Sequence, residues 1–120
     1  MIWNEELDVL SMAIRKAGAE ALRLAVDGFE TIQKPDQSPV TSADLAVNEV
    51  LLSHLTSAFP KDGWLSEESP DRLDRLQKRR VWVVDPIDGT KAFISGEPEY
   101  CISLGLIEQG RPIVAGIFNP

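Results

Sequence analysis

From Leu7 to Val26 the sequence is rich in Ala and Leu, and its apolar residues recur at helical spacing at Leu7, Leu10, Ile14, Ala17 and Ala21. That period predicts an amphipathic helix. Asn4 is its expected N-cap, with Glu5, Glu6 and Asp8 in the first turns, where negative charge suits the helix dipole; Gly28 is its expected stop. Lys34-Pro35-Asp36-Gln37-Ser38-Pro39 has the composition of a loop. A second helix is expected from Thr41 to about Phe59, closed by Pro60. Leu65 falls in a short extended segment ending at Glu67-Glu68, and the charged, Pro-started stretch 69–80 reads as a surface loop or short helix. Val81-Trp82-Val83-Val84 is an apolar, β-branched run suited to a buried strand. Strands are also expected from Tyr100 to Glu108 and from Pro112 to Asn119, with Gln109-Gly110-Arg111 as the hairpin turn between them. Two helices followed by a run of strands predict an α+β layer with the helices on one face of a sheet.

A chain of 120 residues suits one domain, and 43% apolar with 26% charged residues is the balance of a folded globular protein. The net charge of -7 argues against nucleic-acid polymers as partners, because phosphate backbones are held by surplus Lys and Arg. It is compatible with a small phosphorylated metabolite if divalent cations stand between carboxylates and phosphate. Cys101 is the only cysteine, which excludes an intramolecular disulfide and a Cys-rich zinc site. Neither a basic-then-apolar leader nor an apolar run approaching ~20 residues is visible, so secretion and membrane spanning are not indicated and a cytoplasmic location is the default expectation.

The chemistry concentrates in Trp82-Val83-Val84-Asp85-Pro86-Ile87-Asp88-Gly89-Thr90-Lys91-Ala92-Phe93. A buried strand runs straight into Asp85, and Pro86 stiffens the turn expected there. Such a turn would bring Asp85 and Asp88 to one spot. Two carboxylates ~5 Å apart would repel by roughly 3 kcal/mol at an effective dielectric of ~20. A hard divalent cation removes that penalty, and oxygen-only ligands select Mg²⁺, Mn²⁺ or Ca²⁺ over Zn²⁺. At Gly89-Thr90 the backbone can approach an anion closely, and a helix starting there would point free N–H groups at a phosphate. Singly, Asp-Pro and Asp-Gly are ordinary turn dipeptides. In unbroken order behind an apolar strand they favour a metal and phosphate site.

This segment resembles the W-x-x-D-P-[IL]-D-G-T-x-x-[FY] signature of the inositol monophosphatase superfamily. Ser38-Pro39-Val40-Thr41-Ser42-Ala43-Asp44 resembles its D-x-V-T-x-x-D segment, and Leu65-Ser66-Glu67-Glu68-Ser69 its G-E-E-S segment, with Ser66 where Gly is usual. The resemblance implies the N-terminal, helices-on-antiparallel-sheet portion of the layered sugar-phosphatase fold over residues 1–120. It also implies a Mg²⁺-dependent phosphomonoester hydrolase using two or three ions, for which Mn²⁺ can substitute. Glu67, Asp85 and the Ile87 carbonyl would hold one ion, with Asp85 bridging to a second that Asp88 also holds. Glu67 would help orient the attacking water, Thr90 would pair with Asp44 to orient or deprotonate it, and the Gly89 and Thr90 N–H groups would bind phosphate oxygens. Thr41-x-x-Asp44 also reads as a capping box, so Asp44 is expected to do both jobs.

Glu68 reads as a support for Glu67. Lys34 is either the lysine that precedes the family's Val-Thr segment or a solvated loop residue. His54 is expected to be packing or surface, Cys101 a small core residue, and Trp82 core. Lys91-Ala92-Phe93 and the Lys34 to Val40 stretch stand closer to the 3'(2'),5'-bisphosphate nucleotidase and histidinol-phosphatase branches than to inositol monophosphatases. The family continues into a second lobe carrying a W-D-x-A-A-G type segment and most of the substrate pocket, and the 120 residues contain none. Two functions are therefore expected: a phosphatase of a small phosphorylated metabolite, or a truncated, catalytically incompetent metal-binding fragment or subunit that needs a partner lobe. Apolar residues of the final hairpin lead to an expectation of self-association or a homodimer.

Overall fold

The computed structural model describes residues 2–36 and 38–120; the Gln37 position of the expected loop lies outside them. Helix α1 spans Asn4–Asp27 and helix α2 Ser42–Ala58. Trp3, not Asn4, occupies the N-cap of α1, without a side-chain cap bond. The Trp3 ring packs against the core, and Asn4 is the first residue of the helix. Gly28 ends α1 at φ 113°, as expected. The α2 start is a complete capping box: the Thr41 side chain accepts from the Ala43 and Asp44 N–H groups, and Asp44 accepts from the Thr41 N–H.

Between the helices lies a small hairpin that the loop-like composition concealed, β1 (Thr31–Gln33) paired antiparallel with β2 (Pro39–Thr41). The main sheet contains β3 (Gly63–Ser66), β4 (Arg80–Asp88), β5 (Cys101–Glu108) and β6 (Arg111–Phe118), in the order β3-β4-β5-β6. It is antiparallel except at one edge, where β3 runs parallel to β4. The long connection 67–79, including the 3₁₀ turn Leu73–Gln77, supplies the crossover that a parallel pair needs. The last hairpin turns on Gln109 and Gly110, both at positive φ, with Arg111 already in β6.

Both helices pack together on one face of the sheet, α2 over β4 and α1 over β6. The period-two alternation of the strands sends Trp82 and Val84 of β4 and Ile102, Leu104 and Leu106 of β5 toward them. There they meet Leu10, Ile14, Val47, Leu51 and Leu55 from the helices. Close approach of α1 to β6 depends on Gly18, where a Cβ would collide with the Phe118 ring. An ion-pair knot pins α1 and the α2–β3 connection to the sheet: Arg80 bonds Glu6 of α1 at 2.7 Å and Asp62 at 2.8 Å, and the Trp82 indole donates to Asp62 at 3.0 Å. Trp82 is thus core, and His54 packs within α2 with Nδ1 3.0 Å from the Val50 carbonyl. Among the described residues no helix is long and apolar enough to cross a membrane.

Candidate active site

Strand β4 was expected to end at Val84 and turn. It continues to Asp88, and its pairing with β5 is regular up to Asp85↔Ser103, then shifts before Asp88↔Cys101. That irregularity matters, because residues three apart on a regular strand face opposite sides. Pro86 and Ile87 are buried in succession, breaking the alternation, and a bulge re-aims the strand so that both Asp85 and Asp88 line one cleft.

The cleft, about 320 Å³, is lined by Lys34, Ser38, Pro39, Asp44, Glu67, Glu68, Asp85, Ile87, Asp88, Gly89, Thr90 and Lys91. Every site residue expected from the sequence lies along it, delivered by five separate elements. Asp44 comes from the first turn of α2, Glu67 and Glu68 from the turn after β3, and Asp85, Ile87 and Asp88 from the end of β4. Gly89 is the N-cap of a short helix, α3 (Thr90–Ile94), whose first turn holds Thr90 and Lys91. Lys34 and Ser38 come from the β1–β2 connection.

Asp44 is almost wholly buried, yet both its oxygens are used. Oδ2 accepts from the Thr41 N–H at 2.8 Å and the Thr41 hydroxyl at 2.6 Å, and Oδ1 accepts from the Thr90 hydroxyl at 2.9 Å. Gly89 adopts φ 95°, and a Cβ there would stand 2.8 Å from the Glu99 carbonyl, so only glycine fits this corner.

Negative charge accumulates around Asp85. Its carboxyl is pushed up to about 6, first by burial and then by the charges of Glu67, Asp88, Asp44 and Glu68. Lys34 offsets part of this charge, bonding Glu68 at 2.6 Å, a pairing that raises the lysine's pKa. Lys34 is therefore a cleft residue rather than a solvated loop lysine. Among the described residues no three His, Cys, Asp or Glu side chains converge on one point as an ion would require. Cys101, expected in the core, is half-exposed at the rim, with Sγ 4.0 Å from Asp88 Oδ2. Burial and the Asp88 and Asp85 charges raise its thiol pKa.

Sequence reasoning missed Asn48, Ser66 and Ser69. The buried Asn48 side chain accepts from the Ser66 hydroxyl at 2.7 Å and donates to the Ser69 hydroxyl at 2.8 Å, bracketing the two glutamates. The available signal was an amide on the core-facing side of α2, one turn beyond Asp44.

Two helices backing a mixed sheet, with an oxygen-rich acidic cleft at the ends of its central strands, define a layered α+β protein built around a carboxylate site. The model of the inositol monophosphatase family matches residues 3–120, and the chain belongs to that family. It is 39% identical over 118 residues to the 3'(2'),5'-bisphosphate nucleotidase CysQ of Salmonella typhimurium, covering 95% of this chain and 48% of that protein. It is 38% identical over 121 residues to the bifunctional phosphatase IMPL2, chloroplastic, of Arabidopsis thaliana, covering 98% of this chain and 35% of that protein. The extragenic suppressor protein suhB of Bartonella henselae superposes with a TM-score of 0.89 at 30% identity, over 97% of this chain and 45% of that one. The chain thus spans less than half the length of these relatives.

Proposed function

We propose that this chain supplies the metal-binding and water-orienting part of a divalent-cation-dependent phosphomonoesterase, with a 3'(2'),5'-bisphosphate nucleotide as the first candidate substrate. The observation that carries the reading is the Thr90 to Asp44 hydrogen bond at 2.9 Å, set beside the carboxylates of Asp85, Asp88 and Glu67 in one cleft. Similarity to a named bisphosphate nucleotidase supports the choice of substrate.

The donor chemistry fits a hard cation. Glu67, Asp85, Asp88 and the Ile87 carbonyl offer only oxygen, and the burial and then the neighbouring carboxylate charges that raise Asp85 are what a cation would offset. Glu67 and Asp88 are exposed, which leaves their side chains room to turn toward Asp85. Bound Mg²⁺, in two or three sites with Mn²⁺ as a substitute, would lower the pKa of a water and neutralise the leaving oxygen.

The chain's own residues do the rest. The Thr90 hydroxyl has one hydrogen, which it donates to the buried Asp44 carboxylate at 2.9 Å, with the Ile87 carbonyl 3.2 Å away as a further acceptor. The Thr90 oxygen is thereby left as an acceptor for a water proton, aligning the water's lone pair toward phosphorus. Thr41 holds the other oxygen of Asp44 in place, so the Thr90–Asp44 pair can orient the water and share its proton as attack proceeds. The Gly89 and Thr90 N–H groups, at the opening turn of α3, are offered to phosphate oxygens, and the αL conformation at Gly89 aims them.

Phosphate release from 3'-phosphoadenosine 5'-phosphate, inositol 1-phosphate and histidinol phosphate, each with Mg²⁺ and with EDTA, tests the reading. Mg²⁺-dependent release, fastest with the bisphosphate nucleotide, is expected. Undiminished release in EDTA would contradict the metal, and preference for another ester would contradict the substrate.

A further inference from the structure

The turn that carries Glu67 and Glu68 is held from both ends by a single side chain on another element. Ser66 and Ser69 flank the glutamates, and the Ser69 N–H closes the turn on the Ser66 carbonyl at 3.3 Å. Asn48 reaches across from α2 and uses both ends of its amide, Oδ1 on the Ser66 hydroxyl and Nδ2 on the Ser69 hydroxyl. The Ser66 hydroxyl in turn accepts the Glu68 N–H at 3.3 Å, and the Ser69 hydroxyl accepts the Trp64 indole N–H at 3.0 Å. Asn48 is 2% exposed and Ser66 6%, so the bond between them is shielded from water.

Asn48 lies four residues after Asp44 on α2, and positions four apart share a helix face. The helix thus offers two polar groups on one side: Asp44, fixed to Thr90, and Asn48, fixed to the glutamate turn. An apolar residue would fill this core position at lower desolvation cost, and a buried amide is tolerated only when its donors and acceptors are met. No described side-chain polar atom that is buried lacks a partner.

We propose that Asn48 is a positioning residue for the cation site, setting where the Glu67 carboxylate stands relative to Asp85 and to the Asp44–Thr90 pair. The inference rests on the metal-dependent reading above. The exposed Glu67 side chain can turn, so the point from which it reaches toward Asp85 is set by the backbone of the turn that carries it. With the Asn48 amide removed, Ser66 and Ser69 lose their common anchor and the turn can drift from Asp85. Groups that orient a ligand in this way typically change metal affinity by about 10–100-fold when removed.

The test is calorimetric titration of Mg²⁺ into the full chain and its variants, with thermal unfolding measured on the same samples. Asn48→Leu should weaken Mg²⁺ binding by about tenfold or more. Leu51→Ala, a buried change on the same helix away from the turn, should lower thermal stability while leaving Mg²⁺ affinity at the wild-type value. Ser66→Ala cuts one half of the same link from the turn side and Ser69→Ala the other, and each should also weaken Mg²⁺ binding. If Asn48→Leu fails to fold, Ser66→Ala and Ser69→Ala decide the matter by the same criterion. Unchanged affinity in Asn48→Leu, or in both serine variants, would overturn the proposal and leave the metal reading standing. A wild-type chain that binds no Mg²⁺ would instead bring down the metal reading, and the positioning role with it.

Discussion

The Thr90 hydroxyl donates to Asp44 Oδ1 at 2.9 Å, joining the opening turn of α3 to the opening turn of α2 across 46 positions of sequence. The same aspartate completes the capping box of its own helix through Oδ2. One buried carboxylate therefore serves a structural and a chemical purpose with separate oxygens.

The two purposes can be separated by mutation. Thr90→Ala should lower phosphate-ester turnover by about 10²-fold in the phosphatase carrying this chain, because the water loses its acceptor, with Thr90→Ser restoring most of the rate. The Mg²⁺ concentration giving half-maximal rate should change little. Thr41→Ala should act mainly on stability, since it removes a cap worth about 0.5–2 kcal/mol and strips Asp44 Oδ2 of a donor. Steady-state kinetics and thermal unfolding on the same preparations measure both effects.

The raised pKa of Asp85 has a consequence for stability. Its folded value of about 6 lies above the ordinary 3.8, so the metal-free folded chain holds this proton more tightly than the unfolded chain does. Its contribution to stability is then full below about pH 4 and is lost as pH rises through about 6. Asp85→Asn should accordingly stabilise the metal-free protein at pH 7.5, by on the order of 1–2 kcal/mol once screening of this half-buried group is allowed for. The gain should disappear near pH 4. Saturating Mg²⁺ should raise the wild-type melting temperature at pH 7.5 and leave the variant's unmoved. Urea unfolding at both pH values, with and without metal, reads out each effect.

The site was legible where one local pattern determined one local outcome. The apolar run leading into Asp85 marked a buried strand delivering a carboxylate, and Thr41-x-x-Asp44 marked a helix start, and the structure has both. Features that escaped the sequence depended on contacts between distant segments. The bulge at Pro86-Ile87 is set by pairing with β5, so a turn was the natural expectation from Asp-Pro alone. The parallel pairing of β3 depends on a crossover whose path its charged residues do not specify. Thr31–Gln33 is too short to announce a strand and exists because Pro39–Thr41 lies beside it. Asn48 resembled an ordinary polar helix residue until Ser66 and Ser69 were brought against it.

The face of the sheet turned away from the helices carries an exposed apolar side chain of the edge strand. Ile117 is 76% exposed there on the edge strand β6, while Ile102, Leu104 and Leu106 of the same hairpin are buried under the helices. An exposed apolar side chain on an edge strand that is unpaired among the described residues favours contact with another copy. Light scattering coupled to size exclusion should find concentration-dependent oligomers of the wild-type chain, reduced in Ile117→Lys. A strictly monomeric wild type at high concentration would contradict this.

The measurement that bears most directly on the central claim is calorimetric titration of Mg²⁺ into the chain at pH 7.5, beside Asp85→Asn. Asp85 is the carboxylate on which the charges of Glu67, Asp88, Asp44 and Glu68 converge, so it should contribute to every ion the cleft takes. The account predicts saturable binding by the wild type, weakening as pH is lowered through about 6 as Asp85 gains its proton, and no detectable binding by the variant. Equal binding by the two proteins would show that the cation sits elsewhere, and the carboxylate cleft would no longer be the metal site.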